Sequence, residues 1–246
     1  MKTLEHTFHL FEKNNQILVP VFFNVIMIQT LLSYFVGAAG LQDPQVLLQD
    51  IPGLISRILW VGTISGLLVL LVDSFFTSMT LSMVFEAWKK GKTKLDWNYG
   101  TKFFTKILVA RIIYFAGAGA IFSLIAASTL LFSTSQLNGI LLGGISVAAL
   151  SLFLFGFFWV NESIVTKKKK PFASFKHSKL TSFRNPALTL RTIFAIFAFY
   201  IVAQAIIGIF SAASQIFLTA LITLLATIFL KTLVSILKIV SFLQAK

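Results

Sequence analysis

The chain has 246 residues, 57% of them hydrophobic and only 12% charged, with 21 Lys and Arg against 8 Asp and Glu and a formal net charge of +13. Soluble domains carry about a quarter charged residues, so this balance excludes an ordinary soluble fold and points to spanning helices of about 20 apolar residues each. There are no cysteines, which excludes disulfides, thiolate nucleophiles and Cys-ligated metals.

The first 16 residues place Leu4, Phe8 and Phe11 at helical spacing on one face, with Glu5, His6, His9, Glu12 and Lys13 elsewhere. That pattern predicts an interfacial amphipathic helix, too short and too charged to span. No cleavable leader is expected, because Glu5 and Glu12 interrupt any basic start and the apolar run that follows is too long. Span one is expected over residues 17–40, with Pro20 tolerated in its first turn. The connection over 41–52 has Asp43, Asp50 and Pro44 but no Lys or Arg. Residues 51–57 are expected at the outer interface, before span two over 58–88. At about 1.5 Å per residue span two exceeds a hydrocarbon core of roughly 30 Å, so it should tilt or project.

A basic connection over 89–106 contains a second amphipathic segment with Trp97, Gly100 and Phe104. Span three (107–132), an uncharged turn (133–136) and span four (137–165) follow. The third basic connection, 167–184, ends at Asn185-Pro186. Span five (188–210), another uncharged turn (211–215) and span six (216–242) complete the chain. The connections after spans two and four hold most of the basic residues, and those after spans one, three and five hold none. The positive-inside rule then places both termini in the cytoplasm of a multi-pass protein of the cell membrane. Basic residues beside spans on alternate connections serve orientation, so no nucleic-acid partner is expected.

The expected fold is therefore all-α, with six transmembrane helices in three two-span units, each preceded by a cytoplasmic amphipathic helix. The units fall at about residues 1–93, 94–170 and 171–246, within a single membrane domain. Phe11, Phe104 and Phe183 take equivalent places, as do Glu86 and Glu162, and Arg111 and Arg191. Such units are parallel repeats about an axis along the membrane normal.

The segment Pro171-Phe172-Ala173-Ser174-Phe175-Lys176-His177-Ser178 resembles the Pro-x-x-small-apolar-basic-basic-Ser segment of six-span prokaryotic families. These include the YciC-like inner-membrane proteins and the membrane domain attached to some glycerophosphodiester phosphodiesterases. Phe8, Phe11, Lys13 and Asn14 before an apolar span are similar to their N-terminal pattern. The resemblance implies a fold and a membrane location. It implies no catalytic residues, since the chain has no room for a phosphodiesterase domain.

Asp73 stands near the middle of span two, where a charge costs at least ~2.5–3.5 kcal/mol. Ser74, Ser78, Ser82 and Glu86 follow it at four-residue spacing, and Thr219, Thr223, Thr227, Lys231 and Ser235 form a similar row on span six. Two polar rows can line a wet cavity. Alternatively, hydroxyls bond their own i−4 carbonyls and serve close packing. Asp73 is then either a functional group or simply protonated or paired with Lys231. Glu86, Glu162, Arg111 and Arg191 are expected near the cytoplasmic interface, where they form inter-unit ion pairs such as Glu162 with Arg191 or snorkel to water, or else make an anion-binding ring. Lys167, Lys168, Lys169 and Lys170, with Phe172 and Phe175 after them, are expected to meet anionic lipid headgroups. Gly62-x-x-x-Gly66, Gly139-x-x-x-Gly143 and the run 116–120 allow close helix approach and are compatible with a homo-oligomer.

No metal site is expected at His6 and His9, whose spacing is not that of a zincin. No Ser/His/Asp set, phosphate loop or paired catalytic carboxylates can be placed at one depth. The expectation is a non-enzymatic, cofactor-free membrane protein with an envelope, scaffold or lipid-interacting role. The alternative is a small-solute or lipid transporter that uses the polar rows of spans two and six.

Overall fold

A computed structural model describes residues 2–38, 51–131, 136–213 and 216–245. They form α1 (Lys2–Lys13), a 3-10 turn (Asn15–Ile17), α2 (Leu18–Ala38), α3 (Ile51–Lys90), α4 (Asn98–Leu131), α5 (Gln136–Gly156), α6 (Val160–Lys167), α7 (Pro171–Arg184), α8 (Pro186–Ala213) and α9 (Ile216–Gln244). There is no strand among the described residues. Six stretches are long and apolar enough to cross a membrane: Asn15–Ala38, Leu59–Lys90, Asn98–Ser123, Val147–Lys167, Pro186–Gly208 and Leu218–Gln244. Of the expected external turns, 41–50, 133–135 and 214–215 lie outside the described residues, whereas 51–52 and 136 open α3 and α5 and 211–213 are the last residues of α8.

The central element is α3, which packs on α2, α4, α6 and α9. Its 40 residues run about 60 Å at 1.5 Å per residue. Residues 51–57, expected at the outer interface, are the first turns of this same helix. The helix ends where Gly91 takes a left-handed φ of 73° and its N–H reaches the Ala87 carbonyl at 2.8 Å, a conformation glycine adopts without a Cβ penalty.

The end of α3 anchors the loop that follows. Asn14 Nδ2 donates to the Gly91 carbonyl at 3.4 Å, and its Oδ1 accepts the Thr93 N–H at 2.9 Å. Gln16 Oε1 accepts the Leu95 N–H at 3.0 Å. On the other side, Thr3 Oγ1 donates to Gln244 Oε1 at 2.6 Å, so α1 lies against the last turns of α9. The helix ends of α1, α3, α6 and α9 that carry Lys13, Lys89, Lys167 and Lys238 thus gather at one end of the bundle, called the basic end below.

Two segments depart from expectation. The second amphipathic segment runs without a break into span three as α4. Asp96 Oδ1 accepts the Asn98 N–H at 2.9 Å and starts the helix there, and no proline follows to stop it. Span four, by contrast, is broken: α5 ends at Gly156 and α6 starts at Val160. The cause is Ser178 on α7. Its hydroxyl donates to the Gly156 carbonyl at 3.0 Å and accepts the Trp159 N–H at 2.9 Å. Backbone groups freed in an apolar layer need a new partner, and one serine supplies both.

Ser78 makes the same kind of insertion between α3 and α4. Its hydroxyl donates to the Tyr99 carbonyl at 2.8 Å and accepts the Phe103 N–H at 3.2 Å. Within the α3 row only Ser78 reaches a neighbouring backbone: Ser74 meets the Arg111 guanidinium, and the buried Ser82 hydroxyl has no partner among the described residues. The α9 row bonds its own helix, with Thr223 donating to the Thr219 carbonyl, Thr227 to Thr223 and Ser235 to Lys231.

The main core sits at the basic half of the bundle. Met79, Met83, Val84 and Ala87 of α3 meet Ile107 of α4, Ile164 of α6 and Ile236 and Ile239 of α9. Toward the other end of α3, Leu59, Trp60 and Leu67 are exposed, as befits surface for lipid tails. Gly62 and Gly66 lie there too, and a Cβ at either would meet nothing within 4 Å, so the close packing expected of them is not used within the chain. At Gly117, in the run 116–120, a Cβ would lie 2.9 Å from the Phe153 ring, so the close approach is used there. The packing expected at Gly139 and Gly143 falls outside the side chains described.

Gly100 is the tightest glycine, because a Cβ there would overlap the Phe75 ring. Gly100→Ala should destabilise by about 1–3 kcal/mol, as overpacking does, and Phe75→Leu in the same chain should restore most of the loss. Unfolding in mixed micelles reads both. Equal damage with Phe75 and with Leu at that position would reject the close approach.

Candidate functional site

A carboxylate within an apolar span needs partners, and Asp73 draws them from three other helices. Arg111 of α4 pairs with its Oδ2. Lys231 of α9 reaches Oδ1 at 2.9 Å, and Asn24 of α2 donates to the same oxygen at 2.7 Å. The guanidinium also donates to Thr77 Oγ1 at 2.8 Å and touches Ser74 Oγ at 3.5 Å. The small residues after Asp73 let Arg111 lie along α3. Asn24 is buried, and its own Oδ1 has no partner among the described residues.

A second buried pair lies closer to the basic end. Glu162 of α6 is 2% exposed, and Lys238 of α9 meets its Oε1 at 2.9 Å. The Lys238 ammonium also stands 4.6 Å from the centre of the Phe158 ring. Glu86 pairs with Lys90 at 2.6 Å and accepts from the Tyr99 hydroxyl.

These contacts regroup the charged residues. Glu162 pairs with Lys238 and not with Arg191, which is exposed on α8 and has no partner among the described residues. The break before α6 presents Glu162 to α9. Arg111 belongs with Asp73, and Glu86 with its own helix and Tyr99, so the four residues form no ring. Lys238 and Asn24 were not singled out from the sequence. Lys238 stands seven residues after Lys231, on the same side of α9, and that spacing was the available signal.

Between the two buried pairs lies a cavity of about 430 Å³. Asp73, Arg111, Tyr114, Asn161 and Lys238 contribute its polar wall, and Val69, Phe115 and Leu154 are among its apolar ones.

At the basic end, Lys167, Lys168 and Lys170 are exposed, and Lys169 is half-buried. Lys168 adopts a left-handed φ of 53° that closes α6. Phe172, just after the lysines, is 74% exposed. Phe175 is not a lipid-facing residue: it is 9% exposed and sits edge-on to Phe157 in the core, with ring centres 5.0 Å apart. Ser174, Ser178 and Ser182, spaced by four, form the buried face of α7. Small hydroxyls and Phe175 together seat this helix.

His177 shares its Nδ1 with the hydroxyls of Ser163, at 3.3 Å, and Thr181, at 3.4 Å. Partial burial and the charges of Lys169 and Lys167 hold its pKa below the ordinary 6.5. Ser163 is fully buried, and no carboxylate hydrogen-bonds His177 among the described residues, so the pair does not form a nucleophilic dyad with an orienting acid. No group of three metal-ligating side chains occurs among the described residues.

Glu162→Gln and Lys238→Gln should each destabilise strongly, by about 3–5 kcal/mol, because each strands a buried partner. The double change should cost less than their sum, and Arg191→Gln should combine with Glu162→Gln additively within about 0.5 kcal/mol. Additivity in the Glu162 and Lys238 cycle would reject the pair. A second expectation concerns pH. A histidine whose folded pKa is lowered contributes fully above the unfolded value, and that contribution is lost as pH falls through the folded value. Melting temperatures between about pH 7 and pH 5 should therefore drop less steeply for His177→Gln than for the wild type. Parallel profiles would reject the assignment.

Comparison with protein-family models, with curated proteins and with solved structures finds no match to this chain.

Proposed function

We propose that this is a non-enzymatic multi-pass protein of the cell membrane whose basic end, facing the cytoplasm, docks on anionic lipid in an envelope or scaffold role. The observation that carries this is the pairing of Lys167, Lys168 and Lys170 with an outward Phe172, at the start of a helix that Ser174, Phe175, Ser178 and Ser182 seat on the core and on which Leu180 and Phe183 are also exposed. Each basic residue near an anionic leaflet contributes about 1 kcal/mol, fading within a Debye length. Phe172 adds burial that salt does not screen. The charge asymmetry between the two ends supports the cytoplasmic placement, and the order of acid, lysines, aromatic and arginine, present from Glu86 to Arg111 and again from Glu162 to Arg191 with a weaker copy at the start of the chain, supports three related units. The likeness of residues 171–178 to YciC-like proteins points to the same fold and location, and to no reaction.

A transporter is the second candidate, favoured by the cavity that reaches Asp73. Against it stands the tie of α2, α3, α4 and α9 at one carboxylate, which a rocking motion would have to break.

Reconstitution in neutral and in anionic nanodiscs separates docking from mere orientation signalling. Hydrogen exchange over residues 172–184 should be slower in anionic discs, and salt should erase the difference. Replacing Lys167, Lys168, Lys169 and Lys170 with Gln should abolish that salt-sensitive part. Phe172→Ser should weaken docking at low and high salt alike. Equal protection in both lipids, unchanged by salt, would overturn docking.

A further inference from the structure

We infer that the cavity between α3, α4, the α5–α6 break and α9 holds an amphiphile with an anionic head group, its head on Arg111 and Lys238 and its hydrocarbon along α4 and α5. The residues involved are not those of the outer basic face, so the two proposals stand or fall separately.

Size is the first argument. About 430 Å³ falls within the range of roughly 300–1,000 Å³ usual for small-molecule sites.

Polarity is the second, and it is ordered along every wall. On α3, Asp73 lies nearer the basic end than Val69 and Leu70. On α4, Arg111 lies nearer it than Phe115. On the third wall, Asn161 lies nearer it than Leu154, and α9 contributes only Lys238, within its last turns. The cavity is thus polar on the side of the basic end and apolar on the side away from it. A leaflet lipid has the same gradient from head to tail. Phe115 and Leu154 are 56% and 42% exposed, so the apolar part opens sideways to the hydrocarbon layer.

Charge is the third. Asp73 and Glu162 supply two negative charges in this region, and Arg111, Lys231 and Lys238 supply three positive ones, leaving an excess of one cation. In a low-dielectric layer such an excess favours an anion over a neutral or cationic guest. Asp73 borders the cavity but repels little, because Arg111 takes its Oδ2 and Lys231 and Asn24 take its Oδ1. Two further donors face the cavity without a hydrogen-bond partner among the described residues, the Tyr114 hydroxyl and the Asn161 amide. A phosphate or carboxylate placed toward Lys238 and Asn161 would accept from both kinds of group, as charge-assisted bonds favour.

Native mass spectrometry of the delipidated full chain tests the idea. The probes are a short-chain phosphatidylglycerol, the phosphatidylcholine of equal chain length, and inorganic phosphate. Wild type should retain phosphatidylglycerol about tenfold more tightly than phosphatidylcholine, a difference of about 1.4 kcal/mol. Lys238→Gln should abolish that preference. Lys238 also stabilises Glu162, so Leu154→Trp at the exposed mouth provides an independent variant that blocks entry and spares the charge pairs. It should lose phosphatidylglycerol to a similar degree while melting like the wild type. Replacing Lys167, Lys168, Lys169 and Lys170 with Gln should leave retention unchanged, which separates this site from the docking face. Equal retention by wild type and Leu154→Trp would overturn the site. Equal retention of the two lipids would overturn the anionic head. Binding of inorganic phosphate as tight as that of the lipid would overturn the amphiphile in favour of a soluble anion.

Discussion

A carboxylate midway along an apolar helix is either protonated or surrounded by donors, and Asp73 has the donors. Asp73 obtains them from α2, α4 and α9, and no helix supplies enough alone. Its partners are Asn24, Arg111 and Lys231, separated by up to 207 positions in sequence (231 − 24). Apolar faces cannot specify such neighbours inside a bilayer, because lipid tails are as apolar as leucine. A charge with three partners can, since any other arrangement strands at least one of them. Asp73 therefore sets which helices adjoin α3, and the packing of Met79, Met83 and Val84 follows from that choice.

Backbone satisfaction imposes a second constraint, and serine answers it twice. Ser78 and Ser178 each place one hydroxyl against a carbonyl and an N–H of a neighbouring helix. At Ser178 the recipient helix has opened, between Gly156 and Val160. The opening has a consequence for charge. It separates α6 from the direction of α5 and presents Glu162 to Lys238. The residues over the opening, Phe157 and Phe158, become part of the cavity wall. One hydroxyl on a short peripheral helix thus shapes both the second ion pair and the space beside it.

How much of this was readable in the sequence follows from the kind of physics involved. The six apolar stretches were readable because hydropathy over 20 or so residues is a local property. Asp73 and Lys231 stood out for the same reason, as charges against an apolar background. The partner of Glu162 did not, because pairing depends on helix rotation, and the break at residues 157–159 changes the rotation of everything after it. Arg191 occupies the place in its unit that Arg111 occupies in another, yet one is exposed and the other clamped. Repetition of residue types does not carry repetition of partners. Phe175 misled for a related reason: an aromatic after a lysine run looks like a lipid anchor, but it is the serine face beside it that turns Phe175 inward.

The distribution of burial along α3 ties these features to a use. Between Phe76 and Ala87 the helix is enclosed, while Leu59, Trp60 and Leu67 meet surroundings outside the chain. Asp73 lies at the boundary, and so does the cavity. At such a boundary protein packing gives way to lipid packing, and a polar group has only protein on one side. Ion pairs there stabilise the bundle, but they also leave cationic edges facing the cavity. In a fully packed interior the same arginine and lysine would be purely structural. Here the gap beside them, polar on the side of the basic end and apolar on the other, makes them a surface that an anionic amphiphile can complete.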